Sequence, residues 1–301
     1  MKRAFMFPGQ GSQYVGMGKK LYEEYMPAKE LMEKSNEVLG FDILKLMFEG
    51  PEKELTETKN AQPALFIAGA AAFEYLKREK NIIPDVTLGH SLGEFTALYA
   101  AGVFDFETGL RVVRKRGELM SEAGSKYPGT MAAVISKISV EEIEKTLERI
   151  EGIVVVANIN SPEQTVISGE VEAVRKAMEV LKEKGAKRVI PLRVSAAFHS
   201  PLMKEPAKEF AKFLDEIEFN KPTIPVIPNF TARVTEDVSE IKEALKNQLT
   251  GSVKWVESIR EAERIGVNEF IEVGPGKVLK GLVSRILKGV DVRNFEAPGD
   301  L

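Results

Sequence analysis

"TLGHSLGEFTALYAAGVF", residues 87–104, sets one serine between two glycines at two-residue spacing, Gly89-His90-Ser91-Leu92-Gly93. The stretch leading into it, "PDVTLG", reads as a short strand. The stretch leaving it, "LGEFTALYAAG", reads as a helix that stops at Gly102. Strand, Gly-x-Ser-x-Gly and helix in that order form the nucleophile-elbow pattern. Residues without Cβ permit the sharp turn, and the helix N-terminus stabilises negative charge. An ordinary tight turn needs the same glycines, so the choice rests on the rest of the chain.

Working outward, "RAFMF" at 3–7 is a short apolar strand that runs into the loop "PGQGSQYVGMG". The alanine-rich segment from Ala64 to Lys80 reads as a helix after Pro63, and a further helix runs from about Glu107 to Ala123 and ends at Gly124. "VNEFIEV" is a strand, followed by the turn "GPG" and the helix "KVLKGLVSRILKG". Strands alternating with helices predict a mostly parallel sheet covered on both faces. Between these parts the pattern changes. "TMAAVIS", "SVEEIEKTLERI", "GIVVVANI", "QTVISG", "EVEAVRKAMEVLKEKG" and "AKRVIPLRV" read as β-α-β-β-α-β, with Ser139 capping the first helix. That order is the split βαβ of a ferredoxin-like unit, placed at residues 127–195 as an insert in an α/β domain made of 1–126 and 196–301.

Composition narrows the chemistry. The 301 residues are 44% hydrophobic and 29% charged with a net charge of −3, which gives no reason to expect nucleic-acid or membrane binding. The N-terminal apolar run is too short for a signal peptide, and "ALFIAGAAAF" stops at Glu74 before it could span a bilayer, so the expected location is the cytoplasm. With no cysteine and two histidines, His90 and His199, the chain has no thiolate nucleophile, no disulfide and no multi-histidine metal site.

Within these limits a few residues stand out. "GQGSQY" has Tyr14 where a dinucleotide fingerprint needs its third glycine, so it is a strand-to-helix loop, though one that exposes backbone N–H groups. His199, in "VSAAFHSPLM", is either a satisfied boundary histidine or the base for Ser91, because the His90 side chain should diverge from its neighbour on the turn. Asp105 is the only aspartate between Ser91 and His199, so the third member of a hydrolase triad is not visible. Arg116 falls on the apolar face traced by Val112, Val113, Leu119 and Met120. It either joins an internal salt bridge or clamps a substrate carboxylate.

Seven stretches together carry a resemblance: "FPGQGSQ" (7–13), "QPALF" (62–66), "GHSLGE" (89–94), "RG" (116–117), "AAFHSPLM" (196–203), "QLTGSVKWVESI" (248–259) and "EVGPGKVL" (272–279). Over nearly its whole length the chain resembles the malonyl-CoA–acyl carrier protein transacylases of fatty acid and polyketide synthesis. The resemblance implies an α/β-hydrolase-like large subdomain with a ferredoxin-like insert, Ser91 as the acylated nucleophile and His199 as its base and then acid. It implies backbone N–H groups of Leu92 and Gln10 as the oxyanion hole, Arg116 on the free malonyl carboxylate, and the Gln248 main-chain carbonyl aligning His199. Phe198 before the histidine departs from some bacterial members and matches malonyl-selective polyketide domains. The implied partners are malonyl-CoA and acyl carrier protein, with no cofactor or metal, and the expected state is a monomer in fatty acid synthesis. A serine hydrolase and a carrier-protein-binding scaffold with a dead site are the competing readings. A carboxylate on the His199 ring would favour the hydrolase.

Overall fold

A computed structural model describes residues 2–194 and 196–301. The chain opens on β1 (Lys2–Phe7) and passes through α1 (Lys19–Glu24), α2 (Met26–Leu39), α3 (Ile43–Glu49) and α4 (Glu52–Thr56) into the long α5 (Thr58–Arg78). Next come β2 (Val86–Gly89), α6 (Gly93–Ala100) and α7 (Phe106–Lys126). A second run follows: β3 (Thr130–Ile135), α8 (Val140–Leu147), β4 (Val154–Ser161), β5 (Gln164–Gly169), α9 (Val171–Glu183) and β6 (Arg188–Pro191). After a 3₁₀ turn at Pro201–Met203 the chain continues through α10 (Lys204–Glu216), α11 (Val238–Gln248), α12 (Trp255–Arg264), β7 (Val267–Val273), α13 (Val278–Ile286) and β8 (Asp291–Phe295).

β1, β2, β7 and β8 make a four-stranded parallel sheet in the order β2-β1-β7-β8. β1 is buried from Ala4 to Phe7, as a central parallel strand covered on both faces must be. Its alternate side chains feed two cores. Phe5 and Phe7 pack with α5 residues such as Phe66 and Phe73, while Ala4 and Met6 pack with Trp255 of α12 and Leu279 of α13. The second sheet is antiparallel in the order β4-β5-β3-β6, and α8 and α9 close its own core around Ile143, Ile167 and Leu181. The expected end of the insert at Ser195 lies outside the described residues.

Three boundaries differ from the sequence reading. α5 starts at Thr58, not after Pro63, and carries the proline inside it. A helical proline leaves the carbonyl four residues back without its donor. Here that carbonyl, of Lys59, accepts from Arg114 Nη1 at 2.8 Å, which lets the helix continue. α7 runs through Gly124 to Lys126 and ends where Tyr127 precedes Pro128, a residue pair that disfavours helix. The final strand of the small sheet is cut to Arg188–Pro191, where its pairing with β3 ends. β8, with its alternating charged and apolar residues, was not anticipated from the sequence.

Candidate active site

Between the last residue of β2 and the first of α6 lie only His90, Ser91 and Leu92. A Cβ on Gly89 would overlap the Gly93 backbone, and one on Gly93 would overlap the Phe7 carbonyl, so the turn closes only with glycine at both places. Ser91 has φ of 51°, a left-handed conformation that costs a side-chain-bearing residue about 1–2 kcal/mol. Its own peptide groups are tied on both sides: its N–H donates to Asn229 Oδ1 at 2.7 Å, and its carbonyl accepts from Gln248 Nε2 at 3.1 Å. Asn229 Nδ2 also donates to the Gly89 carbonyl at 2.6 Å. Asn229 reaches this position because the 225–227 segment bridges to Thr87 along the free edge of β2. Replacing Asn229 with Ala leaves a partly buried N–H and a buried carbonyl without partners. The expected loss is about 2–4 kcal/mol in unfolding free energy, read by urea denaturation.

Ser91 Oγ stands 2.8 Å from His199 Nε2. On the far side of the ring, Nδ1 meets the main-chain carbonyls of Gln248 at 2.8 Å and Gly251 at 3.2 Å. A carbonyl only accepts, so the proton sits on Nδ1 and Nε2 is left to accept from the serine hydroxyl. His199 is also left-handed, with φ of 54°, in a turn held by Ser200 Oγ donating to the Ala197 carbonyl at 2.6 Å. Burial holds the imidazole down to about 3, and the nearby Arg116 charge pushes the same way. Asp105 is far from this ring in role: it caps α7, accepting from the Thr108 N–H.

Behind Ser91 lies Arg116, 1% exposed. Its three hydrogen bonds all go to neutral groups: Nη1 to Gln62 Oε1 at 2.8 Å, and Nη2 to Gln248 Oε1 at 2.8 Å and Ser91 Oγ at 3.1 Å. The internal salt bridge that was its alternative reading is therefore not what holds it. Burial brings the guanidinium down to about 9, with Glu94 opposing the shift, so it is charged at neutral pH. Glu94, on the first turn of α6, accepts on Oε2 from the Asn229 N–H at 3.0 Å and from Gln248 Nε2 at 2.7 Å. Burial pushes this carboxyl up to about 7 against those two bonds and the Arg116 charge.

The site opens into a cavity of about 510 Å³ lined by Gln10, Met120, Met131, Phe198 and Asn160 beside Ser91 and His199. Gln10 anchors its side chain on Thr58 Oγ1 at 3.0 Å, and among the described residues the amides of Gln10 and Leu92 have no hydrogen-bond partner. His90 turns away from Ser91, its Nε2 2.8 Å from Asn160 Oδ1 on β4, so one cavity wall comes from the second sheet. Among the described residues no cluster of His, Asp and Glu is placed to hold a metal, and no helix is long and apolar enough to cross a membrane. All six sequence-nominated residues, Ser91, His199, Arg116, Gln10, Leu92 and Gln248, belong to this one region. Glu94, Asn229 and Gln62 were missed. Glu94 and Gln62 stand inside stretches already singled out, but Asn229 had no signal.

An acyl transferase domain model matches residues 4–297. The malonyl CoA-acyl carrier protein transacylase of Bacillus subtilis is 47% identical over 288 residues, covering 95% of this chain and 90% of that protein. The crystal structure of an acyl carrier protein S-malonyltransferase from Vibrio cholerae superposes with a TM-score of 0.96 at 42% identity, covering 100% of this chain and 98% of that one. A type II PKS acyl-carrier protein in complex with its malonyl-transacylase gives a TM-score of 0.95 at 37% identity, with 100% and 97% covered. This chain belongs to the acyl transferase domain family.

Proposed function

We propose that the chain moves malonyl from malonyl-CoA to the phosphopantetheine thiol of acyl carrier protein, by way of malonyl-Ser91, in fatty acid biosynthesis. The observation that carries the reading is the pair of groups on one oxygen. Ser91 Oγ meets a ring nitrogen able to take its proton and a buried guanidinium able to pair with an acyl carboxylate. In the first half-reaction Oγ attacks the thioester carbonyl while its proton passes to His199 Nε2. The amides of Leu92 and Gln10 receive the oxyanion, and collapse releases coenzyme A with the proton from His199. In the second, the carrier thiol gives its proton to His199 and attacks the ester carbonyl, and Ser91 regains a proton as it leaves. Arg116 pairs with the free malonyl carboxylate. Gln248 aligns His199 through a neutral carbonyl, which stabilises the imidazolium less than a carboxylate would and suits attack by a thiol over activation of water.

The parallel-sheet part, 1–126 and 196–301, is on this reading the α/β-hydrolase-like subdomain. The 127–195 part, whose antiparallel sheet follows the split βαβ connection, is the ferredoxin-like one. The enzyme works as a cytoplasmic monomer on malonyl-CoA without a cofactor. A transfer assay with holo-carrier protein tests the reading: double-reciprocal plots at several carrier concentrations should be parallel. Intersecting lines would require both substrates bound at once and discard the acyl-enzyme route. A second expectation concerns pH. His199 is the base in its neutral form, and its depressed pKa of about 3 keeps it neutral at all higher pH. Single-turnover acylation by acetyl-CoA should therefore show no inflection near pH 6.5, where an ordinary imidazole would produce one.

A further inference from the structure

Gln248 lies between two buried groups of opposite charge. Its carboxamide oxygen accepts from Arg116 Nη2 at 2.8 Å and its Nε2 donates to Glu94 Oε2 at 2.7 Å. A guanidinium only donates and a carboxylate only accepts, so this orientation of the amide is the one that satisfies both. Glu94 is 2% exposed and its Oε1 has no partner among the described residues, and neither has Arg116 Nε. The carboxyl thus has one oxygen engaged and one free to carry a proton without breaking a bond.

The charged groups around Glu94 are few. α6 packs against β1, β2, α5 and α7. From α7 comes Arg116, the charge that acts on the carboxyl. On α5, Glu74 is taken up by Arg78 and Tyr99, and β2 carries no charged residue. On β1, Lys2 and Arg3 are engaged by the Ile265 carbonyl and by Asp85 and Glu269. α11 contributes the neutral Gln248, while its Lys246 pairs with Asp215. His199 stands beyond Ser91 and is held neutral by burial. Among the described residues the site therefore contains one buried cation, Arg116, and one buried carboxyl, Glu94. An acyl group bearing its own carboxylate adds a second anion, and low-dielectric surroundings do not tolerate the uncompensated charge.

We propose that Glu94 is the resident counter-charge of Arg116 and takes up a proton from solvent when an acyl carboxylate takes its place. Glu94 does not touch the acyl group; it acts through Gln248 and the field at Arg116, as a positioning residue. The proposal rests on the reading of Arg116 as the carboxylate clamp. The acylation itself is proton-neutral, since the proton that Ser91 loses leaves with the coenzyme A thiol. Any excess uptake with malonyl over acetyl therefore reports the protein.

The test is stopped-flow mixing of the full-length enzyme with malonyl-CoA or acetyl-CoA at pH 7.5 in weak buffer with an indicator dye, scaled to acyl-Ser91 by mass spectrometry. Malonyl should draw in about half a proton or more per acyl-enzyme beyond acetyl, because a carboxyl near 7 is mostly ionised before binding and neutral after it. In Glu94→Gln the excess should vanish, and the malonyl KM should lose its rise with pH between 6.5 and 8.5. Equal uptake for the two acyl groups in the wild type overturns the proposal whether or not the variant folds, and so does excess uptake that persists in Glu94→Gln. Arg116→Ala separates the two ideas. If that variant still prefers malonyl, the clamp reading falls. If it loses the preference while the wild type takes up no extra proton, the role of Glu94 alone falls.

Discussion

Ser91→Ala should lower malonyl transfer by about 10⁴-fold or more and leave no covalent label after incubation with malonyl-CoA. The size follows from geometry. The serine oxygen hydrogen-bonds both the His199 ring and the Arg116 guanidinium, so on the proposed reading removing it leaves the base without its nucleophile. The chain has no cysteine to substitute for it. In the wild type, malonyl-CoA alone, without carrier protein, should leave a malonyl ester that survives acid quench and maps by peptide mass spectrometry to Ser91. Label on another residue, or undiminished label in the variant, would remove Ser91 from its assigned role. Hydrolysis of malonyl-Ser91 as fast as transfer to the carrier would place the chain with the hydrolases. The two main-chain carbonyls on His199 Nδ1 argue against that outcome, since no carboxylate bonds the ring among the described residues.

Arg116→Ala should cut malonyl transfer by about 10²–10³-fold while acetyl transfer stays equal or improves. On the proposed clamp reading the lost interaction is a charge-assisted pair, which contributes about 3–4 kcal/mol when its loss leaves a buried carboxylate unpartnered. Acetyl has no carboxylate to strand. The substitution also leaves Gln62 Oε1 and Gln248 Oε1 without their donor, so some loss of stability accompanies it. Measuring both acyl groups on the same preparation separates the effects. An equal fall in both, with the fold intact by circular dichroism, would make Arg116 a structural residue.

The sequence made the local parts of this molecule readable and left the long-range ones dark. The elbow is encoded within five consecutive residues, because strand, turn and helix are all short-range choices. Arg116 could be found because its helix has a clear apolar face. The second sheet could be read because each of its strands and helices is a short segment with its own apolar pattern, in the order β-α-β-β-α-β. Asn229 could not be found: it contacts Ser91 across 138 positions, from an irregular segment with no period to betray it. Glu94 lay in plain view beside the serine, but a carboxyl on a helix reads as solvated until the loop at 229 and α11 are seen to cover it. The start of α5 was misplaced for a similar reason. A proline inside a helix is tolerated only when something else satisfies the abandoned carbonyl, and Arg114 lies 55 positions from it.

The left-handed backbone at both Ser91 and His199 bears on how such a protein responds to selection. At each position glycine would hold the same backbone with less strain, and on the proposed assignment of Ser91 and His199 each substitution would remove the chemistry. Stability and catalysis therefore pull in opposite directions at two positions at once. A laboratory screen that rewards survival at high temperature alone has a short route to a sturdier, inert protein. Gains in heat resistance that keep turnover have to come from elsewhere, such as the exposed faces of α9 and α10, where a residue can change without reaching the elbow.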